Sequence, residues 1–173
     1  MRLLSIIGLK NAGKTTLLVA LAREFSRQGK RVATIKHASH PVDLDREGTD
    51  SWRHYHEGGA DGVLIASPGV RALFERRADE TGPEDLARQY FPDRDLVLVE
   101  GFKTSRLPKI EIYRKTVGPA PIIAAAPHPE DWIALVTDTD AVTVPCPLLR
   151  FTDTMWLQLL AGMAWNRART LDA

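Results

Sequence analysis

The chain has 173 residues, 44% of them hydrophobic, with 23 Lys+Arg against 22 Asp+Glu for a formal net charge of +1. That balance excludes a polyelectrolyte, and with no basic tract interleaved with aromatics it argues against nucleic acid as a partner. Cys146 is the single cysteine, which excludes an intrachain disulfide, and no stretch approaches the ~20 apolar residues of a membrane span, so a single cytoplasmic domain over residues 1–173 is expected.

The first element is the apolar run Leu3-Leu4-Ser5-Ile6-Ile7, a short buried strand. It follows Arg2 and passes straight into a glycine loop, which a signal peptide does not do. The loop Gly8-Leu9-Lys10-Asn11-Ala12-Gly13-Lys14-Thr15 fits G-x-x-x-x-G-K-[ST], the phosphate-binding pattern of P-loop proteins. Leu17, Leu18, Leu21 and Phe25 then recur at helical spacing, so strand, loop and helix stand in the order the motif requires. The chemistry follows from the residue types. Glycines let the backbone N–H groups turn inward as a nest for phosphate oxygens, and the helix N-terminus points its positive end at the same place. Lys14 is placed to reach the β- and γ-phosphates of a nucleoside triphosphate, and the Thr15 hydroxyl to ligate Mg²⁺. Gly8, Asn11, Ala12, Gly13, Lys14, Thr15 and Thr16 are therefore the candidate nucleotide contacts.

Gln28-Gly29-Lys30 stops the helix, and Val32–Ile35 is a second strand. The polar loop from His37 to about Thr49 follows. Lys36 and His37, at the end of that strand, are candidate anion contacts. His37, His40, Asp43 and Asp45 also offer metal-ligating groups, on a loop without cysteine. Asp50-Ser51 is expected to cap a short helix running to Glu57. Val63–Ala66 and Val70–Phe74 are strands around a Pro68-Gly69 turn. Thr81-Gly82-Pro83-Glu84 opens a helix with Leu86 and Tyr90 on its buried face.

Asp95-Leu96-Val97-Leu98-Val99-Glu100-Gly101 is a continuous apolar run ending in an acid, as in a Walker B segment. Such a strand suits a parallel sheet covered on both faces. Glu100, at its C-terminal end, is the candidate Mg²⁺ ligand or water-polarising group, and Gly101 permits close approach to a phosphate. Phe102–Lys109 adds a cluster of cations, Lys103, Arg106 and Lys109. Ile110–Tyr113 alternates and is expected as an edge or antiparallel strand. Ile122–Ala126 and Ile133–Val136 are further strands. Thr152 or Asp153 is expected to cap a last helix carrying Trp156, Leu160 and Met163 on one face. Strands alternating with helices around a P-loop give an α/β, P-loop NTPase-like three-layer fold, a mostly parallel sheet with helices on both faces.

The P-loop is common to many families. Three further segments are more specific: Ile35-Lys36-His37 followed by Gly48-Thr49-Asp50-Ser51, Val99-Glu100-Gly101-Phe102-Lys103, and Pro108-Lys109-Ile110-Glu111. Together with the loop they resemble the MobB family of molybdopterin-guanine dinucleotide biosynthesis adapter proteins, over residues 1 to about 136. The resemblance implies a dimeric GTP-binding protein with weak GTPase activity that assists the molybdopterin guanylyltransferase. It implies Lys14 and Glu100 as catalytic groups, and Thr15 and Glu100 as Mg²⁺ ligands. Lys36, His37, Asp50 and Glu100 are implied around the nucleotide, with Gly101 beside them. No N-K-x-D motif is present, and Asp138, at the end of the late strand Ile133–Val136, is the candidate acceptor for the guanine N1 and N2 groups. Lys103 and Lys109 are the corresponding candidate surface for molybdopterin or a partner. Val70–Phe74 and Ile110–Tyr113 are the candidate edges for pairing between subunits. A P-loop small-molecule kinase and a metallochaperone-type GTPase are the alternative functions.

Overall fold

The computed structural model describes residues 1–172 except 39, 41, 43, 44 and 79. The chain forms two compact units, residues 1–37 with 82–173, and residues 38–81. Asp43, one of the four groups considered above as metal ligands, lies outside the described residues.

The larger unit is built on a seven-stranded sheet. Strands β1 (Arg2–Gly8), β2 (Val32–Lys36), β5 (Leu96–Glu100), β6 (Lys109–Tyr113), β7 (Trp132–Thr137) and β8 (Leu148–Arg150) run in the order β2-β5-β1-β6-β7-β8. Every pair along that path is parallel. The two-residue β9 (Arg169–Thr170) pairs antiparallel with Arg2 and Leu3, below the point where β6 meets β1 at Ser5.

Side chains alternate between the faces of this sheet, and two layers cover them. On one face Leu4, Ile6, Leu98, Ile110, Ile112 and Val136 pack against helix α1 (Lys14–Arg27) and helix α4 (Trp156–Arg167). On the other, Leu3, Val97 and Val99 pack with Ala87 of helix α3 (Pro83–Tyr90), and Ile7 packs with Ile123 and Trp132. Because both faces are covered, β5, β6 and β7 are buried at every residue, as the unbroken apolar run at Leu96–Val99 predicts.

The smaller unit holds helix α2 (Asp50–His56) and an antiparallel hairpin, β3 (Gly62–Ser67) with β4 (Val70–Glu75), turning at Pro68-Gly69. Its N-cap is Thr49, whose hydroxyl accepts from the Trp52 amide, so Asp50 is the first helical residue and not the cap.

The structure corrects four other expectations. Ile110–Tyr113 is neither an edge nor antiparallel: β6 runs parallel between β1 and β7 at the centre of the sheet. Its polar residues look outward in the sequence but are paired inside. Lys109 donates to the carbonyls of Ser105 and Leu107. Glu111 accepts from the Ile122 and Ile123 amides and, at 2.8 Å, from the Trp132 indole. Ile122–Ala125 is a 3₁₀ turn and not a strand, because Pro121 precedes it and its leading amides are spent on Glu111. In α3, Ala87 is buried, Leu86 is half-buried and Tyr90 is 41% exposed. In α4 the residue before the helix is Met155 in a left-handed conformation, while the Asp153 carboxylate is occupied by the Arg150 amide and guanidinium. Trp156 and Met163 still pack against the same core as buried Leu160.

Burial pushes the Glu111 carboxyl above the ordinary carboxylate range, against the opposing pull of its three donors. The native state then holds that proton to higher pH than the unfolded chain does. The group's contribution to stability is full below the unfolded carboxylate value and is lost as pH rises through the raised native value. The Glu111→Gln variant is therefore expected to gain stability relative to the parent as pH rises from about 4 to 7. Urea denaturation at stepped pH measures this, and a difference moving the other way would show that the three donors outweigh burial.

Candidate functional site

The site forms where β1 and β5 end side by side. Their parallel register sets Ile6 opposite Glu100, so the loop leaving β1 and the acid ending β5 share the C-terminal edge of the sheet. Gly8 leaves β1 with φ 154°, and a side chain there would run into the Ile112 carbonyl of β6. Asn11 adopts a left-handed φ of 64°. Gly13 is the residue before α1 and carries no side-chain cap, so the first N–H groups of α1 have no side-chain partner at that position.

The reactive side chains converge on this edge. The Thr15 hydroxyl lies 3.0 and 3.2 Å from the two Glu100 carboxylate oxygens. Glu100 is only 8% exposed. The Lys14 ammonium donates to the Leu9 carbonyl at 2.9 Å, folded back over its own loop. Partial burial is the main cause lowering the Lys14 pKa; Glu100 opposes it, while Lys103 and Lys36 add to it. Lys14, Lys36 and Lys103 thus act on one region against a single carboxylate, a field that favours a polyphosphate.

Gly101 turns the chain away from β5 with φ 103°, and its amide donates to the Ile6 carbonyl at 3.1 Å. The His37 amide donates to the Glu100 carbonyl at 2.9 Å, and the His37 ring stacks on Phe102 with centroids 4.4 Å apart. His37 is thereby fixed at the rim by backbone and ring together. Lys36 is exposed at the end of β2, opposite Glu100 in register. Thr16 and Gly13 line a cavity of about 160 Å³ with Leu17, Ile112, Arg114 and Phe151.

Other candidates stand differently. Asp138 follows the end of β7, where its carboxylate accepts from the Lys115 amide at 3.1 Å and faces Arg114 at 3.6 Å. Asp50 is the exposed first residue of α2 in the smaller unit, and the geometry above is built without it. Lys103 is exposed, whereas Lys109 is 1% exposed and bound to carbonyls, so Lys109 is an internal brace and not a surface cation. Among the described residues no group of three or more His, Cys, Asp or Glu is arranged to hold a metal ion.

Sequence reasoning missed two supports. The Ser5 hydroxyl, fully buried in β1, donates to the Gly101 carbonyl at 2.5 Å and pins the turn after Glu100. A serine inside the run LLSII was the available signal, since a buried hydroxyl needs a partner. Arg114 donates to the Ala12 carbonyl at 3.1 Å and lies over the Phe151 ring at 4.4 Å, tying the loop to the end of β6. No sequence pattern announces it.

An alanine at position 101 would place its Cβ 3.0 Å from the His37 Cβ, at a φ that side chains rarely adopt. Gly101→Ala is expected to cost about 2 kcal/mol of stability, read as a lower urea midpoint at unchanged slope. A cost within about 0.5 kcal/mol would mean that the turn relaxes freely.

Residues 3–138 match the MobB family, described as molybdopterin guanine dinucleotide synthesis protein B. The chain is 41% identical over 65% of its length to a molybdopterin-guanine dinucleotide biosynthesis adapter protein of Haemophilus influenzae, and spans 64% of that protein, just under two thirds. It is 36% identical to the Escherichia coli protein of the same description, over 69% of each chain. In three dimensions it is similar to Bacillus subtilis MobB, with TM-score 0.70 and 24% identity over 94% of this chain and 98% of that one. A crystal structure described as molybdopterin-guanine biosynthesis protein B superposes with TM-score 0.67 at 28% identity, over 95% of this chain and 98% of its own. No helix among the described residues is long and apolar enough to cross a membrane.

Proposed function

The chain belongs to the MobB family, and from that premise we propose that it is a GTP-binding adapter with slow GTPase activity, serving the guanylyltransferase that joins GMP to molybdopterin. The observation that carries the nucleotide part is the Thr15 hydroxyl held against both oxygens of buried Glu100, with Lys14 beside them. The adapter role is supported by the descriptions of the Haemophilus influenzae and Escherichia coli relatives.

The donors fit a hard divalent cation: a hydroxyl and a carboxylate oxygen stand together with no nitrogen or sulfur ligand between them. Thr15 and Glu100 are the residues that would hold Mg²⁺, which when bound neutralises charge on the phosphate oxygens. The chain's own groups do the rest. Loop N–H groups of residues 8–16 cradle the phosphates. Lys14 swings from the Leu9 carbonyl to the β- and γ-phosphates, exchanging one acceptor for charged ones. Glu100 orients water at the terminal phosphate. Asp138 supplies carboxylate acceptors for guanine at the end of β7, where Arg114 and the Lys115 amide already fix its orientation. Arg114 also braces the loop and stacks on Phe151, so it is committed to structure and not poised over a transferred phosphoryl group. This is consistent with turnover far below the ~1–100 s⁻¹ of kinases.

Isothermal titration with Mg²⁺ should show GTP bound in preference to ATP, and Lys14→Ala should weaken GTP at least about tenfold, the loss expected for a charge-assisted contact. Tight ATP binding with no GTP binding would defeat the proposal, and so would failure to capture a molybdopterin guanylyltransferase in a pull-down.

The homodimer we assign to the hairpin of the smaller unit. Among the described residues its two strands pair only with each other, and Leu64, Ile65, Val70 and Leu73 on it are 60, 37, 65 and 50% exposed. Open edges with apolar side chains are pairing surfaces. Leu73→Glu is expected to convert a dimer to a monomer in sedimentation equilibrium, and a parent chain that sediments as a monomer would remove the assignment.

A further inference from the structure

A second cavity, of about 460 Å³, opens between the loop after β5 and the segment that leads into β7. Its volume is in the range of small-molecule sites. One wall is apolar: Pro121, Ile122, Ala125 and Trp132. The opposite wall carries Lys103 and Arg106. The one carboxylate of the lining, Asp131, is already neutralised by Arg106 at 2.8 Å and faces Lys109 at 3.6 Å. Lys103, by contrast, is exposed and makes no hydrogen bond or ion pair among the described residues. The cavity therefore presents an apolar, aromatic-edged surface beside an excess of positive charge.

Both walls are held from beneath by two buried charged residues of β6. Glu111 binds the Ile122 and Ile123 amides and the Trp132 indole, fixing the apolar wall. Lys109 binds the Ser105 and Leu107 carbonyls, fixing the basic wall. Burying ionised groups is costly unless they are fully partnered. Neither residue is hydrogen-bonded to the Thr15–Glu100 pair: Glu111 spends its bonds on the apolar wall, and Lys109 ties the basic wall to the other through Asp131 at 3.6 Å and the Trp132 ring at 5.3 Å. A site with walls set in advance loses little freedom when it is filled.

We propose that this cavity is a second ligand site, for a planar heteroaromatic anion whose ring lies on Ile122 and Trp132 and whose anionic group is held by Lys103. The cavity and its charge are distinct from the triphosphate loop, while the heteroaromatic class of the ligand rests on the proposed function. Lys103 is nonetheless close enough to both sites to act electrostatically on Lys14 and on Glu111, so a ligand anion there would sit next to the triphosphate loop.

The test uses pterin-6-carboxylate, a planar anion chosen because of the proposed function, with neutral 6-methylpterin as its comparison. Isothermal titration of the whole chain should give saturable binding at one site, weaker for the neutral compound. Ala125→Phe, which fills the mouth from an exposed position, should weaken the anion at least tenfold and leave GTP affinity unchanged. Lys103→Glu should weaken the anion by a similar factor. Lys14→Ala should leave it bound, which separates failure of this site from failure of the triphosphate site. No binding, or binding that survives Ala125→Phe, overturns the proposal. Binding lost in Lys14→Ala overturns it as well, because the anion would then be occupying the loop.

Discussion

The structure depends on the parallel pairing of β1 with β5, which runs from Arg2 opposite Leu96 to Ile6 opposite Glu100. Parallel strands end on the same edge, so this one register carries Gly8 and Glu100 to adjacent positions over more than ninety residues of intervening chain. A slip of one residue would turn Glu100 to the opposite face and separate it from Thr15. Such slips are opposed by the strands' burial on both faces. Leu4, Ile6 and Leu98 must meet α1, and Leu3, Val97 and Val99 must meet the opposite layer. Hydrophobic pattern thus fixes the position of a polar pair that contributes little to the core itself.

Around that pair, charge is concentrated and then restrained. Lys14 loses proton affinity mainly because it is partly buried, and Lys36 and Lys103 add to the effect. A cluster of like charges at a sheet edge is unfavourable in the isolated chain and becomes favourable when a polyanion arrives. The restraint is supplied by bonds to backbone outside the Lys14, Thr15 and Glu100 set: Ser5 on the Gly101 carbonyl, the His37 amide on the Glu100 carbonyl, and Arg114 on the Ala12 carbonyl. Each binds backbone, so each fixes where a loop runs while leaving the charged side chains free to move onto a ligand.

Much of this was legible in the sequence because its signals are local. The strand-loop-helix order at Leu3–Phe25 and the acid-ended run Leu96–Glu100 each occupy one short window, and both stand where expected. The error at β6 has one cause, which is that alternation was taken for exposure. In Ile110–Tyr113 a glutamate alternating with isoleucines suggests a half-solvated strand, and Lys109 before it reads with a cluster of surface cations. Their partners are the Ser105 and Leu107 carbonyls, the Ile122 and Ile123 amides and the Trp132 indole. Backbone partners carry no residue code, so a buried charge satisfied by main chain looks like a surface charge. The same partnership explains why Ile122–Ala125, apolar enough for a strand, is a 3₁₀ turn. Arg114 escaped notice for a similar reason, since its acceptor is the carbonyl of residue 12.

β6 stands between the two sites and presents a different face to each. Towards β1 the Ile112 carbonyl closes against Gly8, and on one face the Ile112 side chain lies 3.3 Å from where a Cβ on Gly13 would sit, so this strand sets the floor of the glycine loop. On the other face Lys109 and Glu111 brace the walls of the 460 Å³ cavity. The period of two in a strand makes this division possible, because neighbouring residues need not serve the same chemistry. It also couples the sites mechanically. A shift of β6 along its axis would alter the room at Gly8 and the spacing of the cavity walls together. Burial of the strand at all five residues opposes such a shift, and the central position of β6, hydrogen-bonded on both sides by β1 and β7, opposes it further. An edge strand at this place would leave both sites loosely defined. The buried strand KIEIY, with its lysine and glutamate, thus lies at the middle of the sheet, hydrogen-bonded on both sides.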